Sequence, residues 1–170
     1  MKKLAILAAA VALALTFSPS HSFGAAARGD RMVGGGWIDD PEILDPDSVI
    51  TVRQGIELWC DNPDIHPSNL EITWDGGNYF HLTGLDSAGC DGNDPQVRDD
   101  GGMIEGRGEG RCNGLHAFIS FAFLGNPNTR TGDMAAVAIE GDDPDVCSLA
   151  TNMPLPLQGG NFTFIDDPNI

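Results

Sequence analysis

The chain has 170 residues, with nine Lys or Arg against 25 Asp or Glu and a formal net charge of −16 at pH 7. That length suits one domain. So acidic a surface is repelled by phosphate backbones and anionic lipid, which excludes nucleic-acid binding and electrostatic attachment to membranes.

Lys2 and Lys3 precede an apolar run over residues 4–17, and small residues follow as far as Ala25, Ala26 and Ala27. A basic start, an apolar stretch and an A-x-A site, in that order, read as a secretory signal peptide. Cleavage is expected after Ala27, with the region 20–22 as the second choice. The apolar run falls short of the roughly 20 residues that a spanning helix needs. No cysteine follows it to carry a lipid, so no membrane insertion is expected after cleavage. Residues 28–170 then form a single secreted domain, extracellular or periplasmic. Both lysines leave with the signal, so seven arginines face 25 acidic residues, a formal charge of −18.

Residues 32–38 read as a first, glycine-rich edge strand, and 39–48 as an acidic loop with two prolines. Residues 50–60 alternate: Val52, Gln54, Ile56, Leu58 and Cys60 fall on one face, Thr51, Arg53, Gly55, Glu57 and Trp59 on the other. Successive side chains of a strand point to opposite sides, so this is strand periodicity. Residues 70–74 repeat it, residues 75–78 form a turn, and 79–85 form a further strand. Residues 86–102 read as a long acidic loop.

Residues 103–112 are unusual. One face carries Met103, Glu105, Arg107, Glu109 and Arg111; the other carries Ile104, Gly106, Gly108, Gly110 and Cys112. Same-face neighbours on a strand lie about 6.5–7 Å apart, too far for tight ion pairs within the strand. The four charges must therefore find partners on adjacent strands or in water, and they are the candidate ligand face. Glycines in a strand cost backbone entropy and commonly mark a close approach by something bulky. Aromatic side chains covering this face are the expected cause. Asn113-Gly114 suits a tight hairpin. In residues 115–124, Leu115, Ala117, Ile119, Phe121 and Phe123 alternate with His116, Phe118, Ser120, Ala122 and Leu124. Both faces are largely apolar, which predicts a central strand covered on both sides. A loop over 125–133, a return strand over 134–140, an irregular stretch over 141–156 and a closing strand over 161–165 complete the chain.

Cys60, Cys90, Cys112 and Cys147 are an even set in an exported chain, which implies two disulfides. Three connectivities are open. Cys60–Cys90 with Cys112–Cys147 is favoured, each closing a loop of about 30–36 residues and contributing roughly 3–4 kcal/mol by loop-closure entropy. Strands every 8–15 residues with turn residues between them, and no internal repeat, predict an all-β antiparallel sandwich, with a barrel as the alternative.

Several strings carry a family resemblance: Cys60-Asp61; Leu70-Glu71 with Trp74; Asn78 with Phe80-His81-Leu82; Cys90; the run from Gly106 to Gly114; and Gly159-Gly160-Asn161. In this order they resemble a β-rich domain of secreted bacterial proteins. The resemblance implies an extracellular module, commonly an accessory to larger proteins, with no established activity. It supports the Cys60–Cys90 pairing, because both cysteines belong to the pattern. Cys112 and Cys147 stand as this chain's own addition. Relatives carry an acidic Asp-x-Gly-Glu-Pro-Gly turn where this chain has GNPNTR at 125–130.

For chemistry, His66, His81 and His116 are the mature histidines, and the strand positions of the last two suit structural roles. No His-x-x-x-His or His-Glu-x-x-His motif offers a zinc site. Glu105 and Glu109 share a face but stand about 13–14 Å apart by strand rise, wider than the carboxylate pair of a glycosidase, at about 5–9.5 Å. Glu57, Glu71, Glu105 and Glu109 with Trp59 and Trp74 are a candidate sugar-binding face. Calcium needs several carboxylate and carbonyl oxygens; Asp86, Asp91, Asn93 and Asp94, with Asp99 and Asp100, are candidate ligands, and Asp142, Asp143 and Asp145 a second group. The expected function is a non-catalytic extracellular structural or binding module. Its partner would be an extracellular protein or a glycan. A carbohydrate-binding or hydrolytic cell-surface protein is the alternative.

Overall fold

A computed structural model describes residues 30–41, 49–60, 67–91, 102–125, 132–151 and 154–165. The expected signal sequence, His66 and candidate ligands Asn93, Asp94, Asp99 and Asp100 lie outside these residues. In chain order the strands are β1 (Arg31–Pro41), β2 (Val49–Trp59), β3 (Asn69–Trp74), β4 (Asn78–Asp91), β5 (Gly102–Cys112), β6 (Leu115–Gly125), β7 (Met134–Gly141), β8 (Ser148–Ala150), β9 (Leu155–Pro156) and β10 (Gly159–Ile165). All pairings are antiparallel, in the order β10-β1-β2-β3-β4-β5-β6-β7-β8, with β9 beside β7. The chain is therefore all-β and antiparallel, as its periodicity predicts. One continuous sheet supplies both layers by folding over its inner face. β10 lies across the core from β5 and β6, and the Phe162 and Phe123 rings meet at 5.1 Å. Among the described residues no pairing joins β8 to β10, so the sheet is open and the barrel alternative is not realised.

Alternation decides which side is core. In β2, Val52, Gln54, Ile56 and Leu58 are buried; in β3, Leu70, Ile72 and Trp74 are. Gln54 is the polar exception, and among the described residues neither atom of its side-chain amide has a hydrogen-bond partner. In β5 the inner face is Ile104, Gly106, Gly108, Gly110 and Cys112, and hydrophobic side chains fill the space above its glycines. A Cβ at Gly110 would meet Phe80 Cζ at 2.5 Å, and one at Gly106 would meet Phe121 Cζ at 2.6 Å. The glycines let large rings lie down on the strand, which is why this face is nearly bare backbone.

The two-residue turn after β5 is Asn113-Gly114, both with positive φ (50° and 86°), as a tight hairpin requires. The Asn113 side chain also ties three segments together. Its Oδ1 accepts from the Tyr79 N–H at 3.1 Å; its Nδ2 donates to Asn78 Oδ1 at 2.9 Å and to the Val146 carbonyl at 3.1 Å. The disulfides are Cys60–Cys90 and Cys112–Cys147, the favoured pairing. They point to an oxidising compartment.

Four expectations need correction. β1 is not an edge strand, because β10 pairs along its outer side. β4 does not stop at Leu85 but runs to Asp91. Register shifts between Leu82 and Gly84 and between Leu85 and Ser87 interrupt its alternation, and a bulge places two residues opposite one, which breaks the period of two. The stretch after Gly141 is not wholly irregular, since it contains β8 and β9. Finally, β6 is central in the sheet but covered on one face only. Ala117, Ile119, Phe121 and Phe123 are buried, whereas Phe118 on the other face is 53% exposed.

Candidate functional site

The uncovered face of β4–β7 holds a groove of about 560 Å³. Its floor is made of small side chains: Ser87 and Gly89 from β4, Ser120 and Ala122 from β6, Ala136 and Ala138 from β7. Glu105 and Arg107 of β5 stand in the middle of it, and Thr151 lies at the far side. The lining follows from register: Gly89, Glu105, Ala122 and Ala136 form one row across four strands. Ser87, Arg107, Ser120 and Ala138 form the next. The bulges of β4 lie beside the groove, and bulges sharpen the twist of the strand that bears them. Thr151 is buried; its Oγ1 accepts from the Val137 N–H at 3.0 Å, fixing the segment after β8 to β7.

The four charges of β5 thus share an outer face, as alternation requires, but they divide into two settings. Among the described residues neither Glu105, Arg107 nor Arg111 makes an ion pair. Glu109 instead reaches the next strand, where its Oε2 lies 3.2 Å from His116 Nε2. Asp142 Oδ1 lies 3.5 Å from His116 Nδ1 on the other side. The hydrogen bond with Glu109, helped by Asp142, raises the imidazole above its ordinary pKa, because both carboxylates favour the protonated ring. The ring also meets Phe118 edge-on at 4.8 Å.

The candidate sugar face built on Trp59 and Trp74 is not assembled. Trp74 is a core residue, 8% exposed. Trp59 is covered by the Arg31 guanidinium at 4.7 Å, and Arg31 also reaches Glu57 at 3.7 Å. Glu71 lies against His81 at 3.5 Å. The aromatic residues on the outer face that do stay exposed, Trp37 and Tyr79 as well as Phe118, were not singled out by pattern. Their signal was parity: each sits out of phase with the buried positions of its own strand.

Of the candidate calcium ligands, Asp86 is exposed beside a bulge of β4 and the backbone of Asp91 ends that strand. In the second acidic group, Asp143 Oδ1 accepts from the Asp145 N–H at 3.1 Å, closing its own loop. Among the described residues no three His, Cys, Asp or Glu are grouped to hold a metal ion. Nor is any helix among them long and apolar enough to cross a membrane. Comparison with family models, with curated proteins and with solved structures gives no match.

Proposed function

We propose that this is a secreted, non-catalytic binding module that takes its ligand in the groove on the outer face of β4–β7. The observation that carries the reading is the placement of Glu105 and Arg107, which make no ion pair among the described residues, above a floor of alanine, glycine and serine. Side chains so short leave room for a ligand to approach the backbone. The two charges, about 6.5–7 Å apart along the strand, suit a ligand with a basic and an acidic group over a small apolar middle. An extended segment of another extracellular protein has that chemistry. Binding sites of this size combine an apolar lining with a few placed polar groups. The disulfides and the export signal agree with a partner outside the cytoplasm.

The test is a parallel capture of extracellular proteins and an array of glycans by the mature chain and by its Ala122→Trp variant. Ala122 is partly exposed on the groove floor, so the indole fills the groove without entering the core. A ligand held by the native protein and released by Ala122→Trp and by Arg107→Gln supports the reading. Capture that is the same with all three proteins refutes it.

A further inference from the structure

The other half of the sheet has a different outer face. Register places Trp37, Arg53, Thr73 and Tyr79 in a single row across β1, β2, β3 and β4. Directly paired residues of antiparallel strands point to the same side, and all four are exposed. Trp37 is 41% exposed and Tyr79 47%. The Trp37 indole lies over Gly159 of β10: a Cβ there would fall within 2.6 Å of the ring's Cζ2. Glycine thus lets the indole lie down along the sheet and turn a face to solvent. Beside Arg53, Gly55 leaves open space, with nothing within 4 Å of where its Cβ would be.

Arg53 is the polar centre of the row. The carboxylates around it are engaged elsewhere: Glu57 with Arg31 at 3.7 Å, Glu71 with His81 at 3.5 Å, and Asp39 Oδ1 with the Thr51 hydroxyl at 2.9 Å. Among the described residues Arg53 has no ion pair. Its guanidinium keeps five N–H donors for a ligand.

We propose that this row is a second binding site, for single chains of a neutral polysaccharide lying across the strands. Strands are spaced about 4.8 Å apart, close to the length of one pyranose unit, so each strand meets one sugar. The Trp37 indole, leaning over β10, and Tyr79 on β4 lie three to four strand spacings apart and stack on the C–H faces of the two outer units, using apolar ring area as exposed aromatics do. Arg53 and Thr73 reach the hydroxyls of the units between. The formal charge of the mature chain, seven arginines against 25 acidic residues or −18, repels a polyanion, which selects neutral chains. Sheet twist of about 20–25° per strand turns Tyr79 roughly 60–75° from Trp37. That follows a soluble, twisted chain and does not match a flat crystalline surface.

This site shares no residue with the groove of β4–β7, so either site stands if the other fails. The experiment is native affinity electrophoresis of the mature chain in gels containing soluble β-glucan, galactomannan or arabinoxylan, with polygalacturonate as the acidic comparison. At least one neutral polymer retards the protein. Tyr79→Ala and Thr73→Glu each weaken that retardation tenfold or more. Thr73→Glu is the variant that keeps the fold: it changes an exposed strand position, and its carboxylate faces Arg53 and occupies the track. Arg107→Gln leaves retardation unchanged. The proposal is overturned if no neutral polymer retards the protein, if Thr73→Glu binds as the native chain does, or if only polygalacturonate binds. Loss in Arg107→Gln with retention in Thr73→Glu would move the saccharide to the groove and overturn it equally.

Discussion

Replacing Gly110 by alanine adds one methyl group at a crowded point of the sheet. The new carbon would sit 2.5 Å from Phe80 Cζ and 2.8 Å from its Cε2, and against the carbonyl oxygen of His81. Neither neighbour can move cheaply. Phe80 is 1% exposed, and the carbonyl belongs to the strand paired with β5. Overpacking of this kind costs about 1–3 kcal/mol. The loss of glycine's freedom in the unfolded chain offsets about 0.4–1 kcal/mol. Taking the middle of the overpacking range, about 2 kcal/mol, the net expectation is about 1–1.6 kcal/mol of destabilisation, a fall in Tm of about 2–6 °C for a domain of this size. Gly55→Ala is the internal control. It lies in the same sheet, but nothing stands within 4 Å of its Cβ position, so only the favourable 0.4–1 kcal/mol remains. Thermal and guanidinium unfolding of the oxidised protein compares the two, since intact disulfides are compatible with two-state behaviour. Should Gly110→Ala match the native stability, or should both variants shift the same way, the packing argument for the glycine-lined strand is wrong.

Two further outcomes concern charge and covalent links. The His116 ring in the folded chain titrates above the ordinary value of about 6.5, held up first by Glu109 and then by Asp142. Its stabilising effect is therefore fully present below about pH 6.5 and fades as pH rises through the folded-state pKa. NMR of the imidazole protons checks the direction, and the pH dependence of Tm should flatten across this window in His116→Gln; a midpoint at or below 6.5 contradicts the geometry. The disulfides close sequence separations of 30 and 35 residues, each contributing about 3.5–4 kcal/mol through loop-closure entropy. Reduction should lower the guanidinium midpoint sharply, and an unreduced peptide map should link Cys60 to Cys90. An unchanged midpoint on full reduction would contradict this.

How far the sequence could be read depended on how local each signal was. Strand periodicity in 50–60, the Asn113-Gly114 turn and the alternation of charge and glycine in 103–112 were all legible, because each is a property of neighbouring residues. The pairing of Cys112 with Cys147 was favoured among three connectivities. Where β4 continues past Leu85, the bulges near Thr83 and Asp86 break the period of two, so the pattern stopped being visible although the strand did not. The two-sided burial expected of β6 failed for another reason. An apolar outer face carrying Phe118, Ala122 and Leu124 looks the same in sequence whether a second layer covers it or not.

By itself the sequence determined the all-β character, the parity of side chains in the strands that no bulge interrupts, and the acidic character of the surface. These follow from backbone geometry and composition, which need no partner. Only the tertiary structure decided which strands are neighbours, and therefore which outward side chains share a row. The small residues of the groove come from three strands, with Glu105 and Arg107 between them. The row of Trp37, Arg53, Thr73 and Tyr79 spans 43 residues of chain. Neither site exists until register sets those positions side by side, and register is fixed by the burial of the opposite face.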